Sequence, residues 1–202
     1  KLSFAGKIQE DILKSKGDLP LISVSQKPMS FGENICVGDV GTSAHNTWRQ
    51  LQIGVAAAKT KYICTCEADS LHHNEYFSFI PEKDHLFYIA SPLYVLFAQN
   101  GKSNVYYQKA PQESSIFIGR DFFLKRLKEM LPKTLWKEKD DDYLTKTRLA
   151  HPQEKSIFEM TVPVVTFKTD ENMHRKTPFS RSSATRVLPY WGDSGQLVKR
   201  FL

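Results

Sequence analysis

Three short apolar runs crowd the first third of the chain, and their order restricts the fold more than any other feature. Leu19 to Ser25 (LPLISVS) is apolar and β-branched with Pro20 near its start, the pattern of a buried strand. Gln26 to Asn34 is a loop by its Pro, Gly and Asn content, and Ile35 to Gly38 (ICVG) is a second short strand. Asp39 to Ser43 (DVGTS) is a turn in which Thr42 or Ser43 is placed to cap a helix. Trp48, Leu51, Val55 and Ala58 then recur at helical spacing, so a helix runs to about Ala58 with that face inward. Lys59-Thr60-Lys61 ends it. Tyr62 to Cys66 (YICTC) makes a third strand that leads straight into Glu67-Ala68-Asp69. Strands alternating with a helix imply α/β layering on a parallel sheet. Ligands bind such sheets at the carboxyl ends of the strands, so the loops after Ser25, Gly38 and Cys66 are expected to converge.

The remainder is less regular. Leu86 to Ala98 and Ser103 to Tyr107 are strand-rich and aromatic, and Met160 to Phe167 is another strand-like run. Asp121 to Leu131 has the period of an amphipathic helix, stopped by Pro132. Trp136 to Arg148 holds a dense charge cluster. The segment from Thr169 to Leu202 is polar and basic, with His174, Arg175, Lys176, Arg181 and Arg186, and reads as a loop or lid before a last short element at Gln196 to Phe201. No internal repeat or low-complexity linker divides the chain. A single domain over 1–202 is expected, in three parts: 19–81, 82–168 and a basic tail or lid at 169–202.

Composition narrows the classes. A 202-residue chain with 41% hydrophobic and 12% aromatic content is long enough for one sizeable core and too apolar for wholesale disorder. No stretch approaches the ~20 apolar residues of a membrane span. Lys1 to Lys16 is amphipathic and of mixed charge, without a secretory apolar region. Cys36, Cys64 and Cys66 are an odd count in strand-like runs, which argues against a disulfide framework and leads us to expect a reducing, cytoplasmic compartment. Net charge is +6 and the pI about 9.1, a balance that favours an anionic partner. The phosphate-binding P-loop, the dinucleotide G-x-G-x-x-G fingerprint, the G-x-S-x-G elbow and the H-E-x-x-H zinc motif are all missing from the sequence.

Two acidic groupings carry chemistry. Glu67 and Asp69, one residue apart at a strand's end, are suited to grip a divalent cation, or to divide their roles between a metal and a ribose hydroxyl. Hard cations such as Mg²⁺ or Mn²⁺ take oxygen ligands and share them with substrate phosphates. Farther on, Glu138 to Asp142 (EKDDD) places three aspartates in a row, whose mutual repulsion calls for a cation or the start of a helix.

The run AKTKYICTCEADSLHHNEYFSFIP resembles the segment of family-2-like, GT-A-fold glycosyltransferases in which a helix ends, a strand follows and an acidic-x-acidic motif closes it. The preceding LPLISVSQKP and ICVGDVGTSAHNTWRQL match in order, so the likeness covers roughly Leu19 to Pro81. Here Glu67 stands where the family usually has Asp. The resemblance implies a Rossmann-like GT-A fold, with a mixed, mostly parallel sheet flanked by helices, and an enzyme that moves a sugar from a nucleotide-diphosphate sugar to an acceptor hydroxyl with inversion. It implies Ser25, Gln26 and Lys27 near the nucleotide, Asp39 at the base, and Lys59 or Lys61 toward the diphosphate. Asp69 is the metal ligand it favours, with Glu67 beside it toward metal or ribose, and His174 as a C-terminal ligand completing the shell. Asp141 is the implied acceptor base, ahead of Asp140 and Asp142. His72 and His73 are expected to shape the acceptor pocket. The alternatives are a glycosyltransferase acting on hydroxymethylated bases in DNA, a nucleotidyltransferase, and a non-catalytic nucleotide-binding module.

Overall fold

The computed structural model describes residues 3–98, 104–111, 115–131, 135–136, 154–172 and 184–202. Helix α1 (Ala5–Ser15) precedes the short strands β1 (Ile22–Ser25) and β2 (Glu33–Cys36). Helix α2 (Ala44–Ala57) follows, capped by Ser43, whose side chain accepts a hydrogen bond from the Asn46 amide. Then come β3 (Tyr62–Cys64), β4 (Ser70–Leu71), the one-turn helix α3 (Asn74–Phe77), β5 (Phe87–Ala98), β6 (Val105–Lys109), β7 (Ile116–Gly119) and helix α4 (Arg120–Met130). The chain closes with β8 (Lys155–Thr169), β9 (Ala184–Thr185), β10 (Val187–Leu188), β11 (Gly192–Asp193) and helix α5 (Ser194–Phe201).

The expectation of a mostly parallel, Rossmann-like sheet is overturned. The main seven-stranded sheet runs β3-β7-β5-β6-β9 with every neighbouring pair antiparallel, and β4 joins β8 antiparallel as well. Within that sheet only β5 and β8 pair in parallel. The strands β1 and β2 are parallel to each other but form a separate two-stranded sheet. The physical reason lies in the connections. A parallel neighbour needs a crossover of about a dozen residues or more, whereas β6 follows β5 through a short link and returns antiparallel, and β7 continues in the direction of β6 along the same edge of β5.

Strand β5 is the hub. One edge meets β7 at Tyr88 and Ile89 and then β6 from Leu93 to Phe97, while its other edge carries β8 along its length. The register with β8 shifts between Ser91 and Leu93, at Pro92, which has no amide hydrogen to give a ladder. Side chains alternate across the sheet as strand geometry dictates. Phe87, Ile89, Ile116 and Ile118 point toward α2 and α4, where they meet Val55, Phe123, Leu127 and Met130. Tyr88, Ala90 and Phe117 point the other way, into a cluster with Tyr76, Phe158 and Val164. A third cluster joins Ile8 and Ile12 of α1 to Leu71, Val165, Phe167, Trp191, Leu197 and Phe201. Among the described residues no helix is long and apolar enough to cross a membrane.

Gly119 joins β7 to α4, and its amide donates to the Asp84 carbonyl at 3.1 Å. A β-carbon there would sit 2.3 Å from that backbone oxygen. Gly119→Ala is therefore expected to destabilise the fold by about 2 kcal/mol through overpacking. Calorimetry should show Tm lowered by roughly 4–8 °C for a chain of this size.

Candidate functional site: a carboxylate and lysine cluster

The Glu67–Asp69 segment is a turn between β3 and β4, because β3 ends at Cys64, two residues earlier than the sequence pattern suggests. The main chain of Asp69 is held in the sheet: its carbonyl accepts from the Phe167 amide of β8 at 2.8 Å. Its side chain is nearly buried. Oδ2 accepts from Lys168 Nζ and from Asn172 Nδ2, both at 2.8 Å, and Oδ1 accepts from the Ser70 hydroxyl at 3.3 Å. Asn172 is itself pinned, donating also to the Phe167 carbonyl and accepting from the Thr169 amide.

Glu67 is exposed, and its carboxyl makes no hydrogen bond to the described residues. Partial desolvation by the surrounding protein raises its pKa, and the neighbouring Asp69 charge raises it further, against the pull of Lys109 and Lys168. Lys109, at the end of β6, is buried, with 7% of its surface exposed. Burial lowers its pKa, offset in part by Glu67 and Asp69. Two carboxylates on one turn and two ammonium groups, on β6 and β8, thus lie within electrostatic range of one another, with Lys168 and Asp69 in direct contact. A cluster of perturbed titratable groups of this kind marks a candidate site, with charges of both signs available to a ligand.

The other expected residues fall into place as follows. Gln26 ties the loop after β1 to the loop after β2: Nε2 donates to the Gly41 carbonyl at 3.0 Å and Oε1 accepts from the Val40 amide at 3.2 Å. Asp39 is exposed in the same loop, where Oδ1 accepts from the Gly41 amide at 3.4 Å. Asn46, in the first turn of α2, donates to the Val40 carbonyl, so these loops and the helix start form one hydrogen-bonded unit. Ser25 is spent within its own loop, donating to the Lys27 carbonyl and accepting from Asn34. Lys27 and Lys59 are exposed, and Lys61 pairs with Asp84 at 3.3 Å on the surface. The expected convergence of three loops is reduced to two, since β3 belongs to a different sheet from β1 and β2.

His72 is fully buried, with Nε2 at 3.0 Å from the Ser115 hydroxyl. Burial pushes its pKa down to about 4, so it is neutral at physiological pH and lines no accessible pocket. His73 caps α3, its Nδ1 accepting from the Glu75 amide at 3.3 Å. Asp140, Asp141, Asp142 and His174 lie outside the described residues. Among the described residues no three His, Cys, Asp or Glu side chains group around a common metal position. The sequence reading missed Lys109, Lys168 and Asn172. The available signal was a lysine near the end of each strand-like run, at Lys109 and Lys168.

Comparison of the chain with protein-family models, with curated proteins and with solved structures found no match.

The raised carboxyl of Glu67 has a consequence for stability. Its ionised form costs the folded state more than the unfolded chain, so the penalty is present above the folded pKa and vanishes below the ordinary value of 4.5. Glu67→Gln is therefore expected to raise Tm at neutral pH and to leave it unchanged near pH 4. Thermal melts across that range check both halves.

Proposed function

We propose that the chain is a nucleotide-sugar glycosyltransferase whose donor diphosphate binds at the Glu67–Asp69 turn. The observation that carries this reading is the Lys168–Asp69 pair at 2.8 Å on the acidic turn that also holds Glu67, with Lys109 within electrostatic range. Lysines are point-charge partners for phosphate oxygens, and the carboxylates serve a cation or the ribose hydroxyls. The ordered strand, loop, strand, helix and strand ahead of the acidic turn supports the same reading. The hydrogen-bonded unit of Gln26, Val40, Gly41 and Asn46 is a ready framework for the nucleoside end of a donor.

The donor set suits Mg²⁺ or Mn²⁺. It offers carboxylate oxygens, Asp69 Oδ1 has only a long contact to Ser70, and the repulsion of Glu67 by Asp69 is only partly offset by Lys109 and Lys168. Glu67 and Asp69 would hold the ion, and a bound ion would neutralise charge gathering on the departing diphosphate. Lys168 and Asn172 fix the rotamer of Asp69, so its free oxygen keeps one direction. Lys109 supplies positive charge from the buried side. The resemblance assigns removal of the acceptor proton to Asp141, with Asp140 and Asp142 next to it. A base in that role must reach the hydroxyl within hydrogen-bond distance. The net charge of +6 makes modified DNA a second acceptor reading, which the lack of any gel shift with duplex DNA at low salt would exclude.

A thermal-shift screen of uridine, guanosine, adenosine and thymidine diphosphate sugars, with and without Mn²⁺, tests the proposal. A true donor at about a hundred times its Kd adds roughly 2.7 kcal/mol, read as a Tm rise of roughly 5–10 °C. The rise should depend on Mn²⁺ and disappear in Asp69→Asn, and turnover should release a nucleoside diphosphate. Release of pyrophosphate would identify a nucleotidyltransferase instead. No shift with any nucleotide would overturn the reading.

A further inference from the structure

The two lysines near the acidic turn are held in opposite ways. Lys168 is partly exposed, and its Nζ donates to Asp69 Oδ2 at 2.8 Å. Lys109, the last residue of β6, is 7% exposed, the only buried lysine among the described residues. Its Nζ makes no hydrogen bond or ion pair to the described residues. That nitrogen is nevertheless not among the fully buried side-chain atoms left without a partner, so it reaches solvent. A buried ammonium loses hydration and has three N–H donors to satisfy. Without an acceptor, the uncharged amine is the form its surroundings tolerate better, and burial accordingly lowers its pKa.

Four titratable groups lie within electrostatic range of Lys109. Glu67 and Asp69, on the turn, favour its ammonium form, and Lys168, on β8, opposes it. His72, which follows β4, is neutral at physiological pH and supplies no counter-charge. Asp69 Oδ2 is already committed to Lys168 and Asn172, both at 2.8 Å. The acidic turn therefore satisfies one lysine and leaves the other without a direct partner. A lysine desolvated beside another cation is the arrangement that turns an amine into a nucleophile near neutral pH.

We propose that Lys109 is a nucleophilic amine that forms an imine with a small aldehyde or ketone. Its lone pair adds to the carbonyl carbon, the C=O π electrons pass to oxygen, and that oxygen takes up the proton the nitrogen gives away. The hydroxyl then leaves as water with a proton from the medium, and the nitrogen lone pair closes the C=N bond. Nothing is oxidised or reduced, and water is the only leaving group. The protonated imine draws electrons from the adjacent carbon and weakens the bonds to it. A carbonyl compound is the class that fits, because an amine freed of its proton offers a lone pair to an electrophilic carbon. The narrow exposure of Lys109 restricts that compound to a small, unhindered one. Imine formation uses the amine, whereas the diphosphate reading uses the ammonium, so the two stand or fall separately.

Incubating the folded full chain with glyceraldehyde, pyruvate or acetone and cyanoborohydride at neutral pH, then mapping the adducts by mass spectrometry, tests this. Cyanoborohydride reduces each imine as it forms and makes it permanent. Exposed Lys27, Lys59 and Lys83 are comparators on the same molecule. With at least one of the three compounds, Lys109 is expected to label at least about tenfold faster than any comparator, since an ordinary surface lysine is almost wholly ammonium at that pH. In guanidinium chloride the advantage should vanish, because it derives from the fold. Labelling of Lys109 no faster than the comparators with all three compounds would overturn the proposal, as would an advantage that survives unfolding. Nucleotide-sugar thermal shifts on the untreated protein decide the donor reading by themselves: their absence beside a fast Lys109 adduct leaves imine formation standing.

Discussion

The structure depends on how four residues of β8 that leave the β5 ladder find other partners. Ser91 pairs with Glu159 and Leu93 pairs with Val164, so residues 160–163 have no counterpart on β5. Backbone groups released from a ladder inside a protein need partners elsewhere. The Glu75 carboxylate accepts from the Thr161 and Val162 amides at 2.8 and 2.9 Å, and the Trp191 indole donates to the Pro163 carbonyl. Burial alone would raise the Glu75 carboxyl, but these amides outweigh it and hold its pKa below the usual range. The irregularity is therefore a junction. It fastens α3 and the β10–β11 turn to the longest strand pair in the sheet, and in doing so sets where His73 and Tyr190 stand.

The same strand pair assembles the charged cluster. Lys168 reaches Asp69 because β8 lies between β4 and β5, and the Asp69 carbonyl is fixed by the amide just before Lys168. Lys109 arrives from the opposite side of β5, on β6. No member of this set would be stable alone in a partly desolvated volume. Lysine and carboxylate each reduce the cost of burying the other, and Glu67 is left with the least compensation.

Local elements were legible in the sequence, and their assembly was not. The helical period from Trp48 and the cap at Ser43 match α2, and the Asp121 to Leu131 pattern matches α4 within a residue. Strands β1, β3, β5, β6 and β8 are where apolar runs place them, because side-chain patterning is a local signal. Strand β7 (SIFIG, behind Ser115) is too short to stand out, yet it separates β3 from β5 and makes the sheet antiparallel there. Pairing depends on which strands meet, a long-range property that a run of β-branched residues does not encode. The acidic pair was visible as a motif. Its lysine partners were not, since Glu67 and Lys168 become neighbours only through the β4–β8 and β5–β8 pairings.

That separation along the chain bears on how the protein comes to exist. The β5–β8 pair closes a loop of about seventy residues, and closing long loops costs entropy before any contact repays it, so such pairings form late. The β5–β6 contacts are far more local. During synthesis, Glu67, Asp69 and Lys109 emerge well before Lys168 and Asn172. Until β8 docks, Asp69 has neither its ammonium nor its amide partner, and its carboxylate remains hydrated on an incomplete sheet. The chain thus acquires its charged centre in the same step that completes its core, so a partly folded molecule lacks that arrangement of charge.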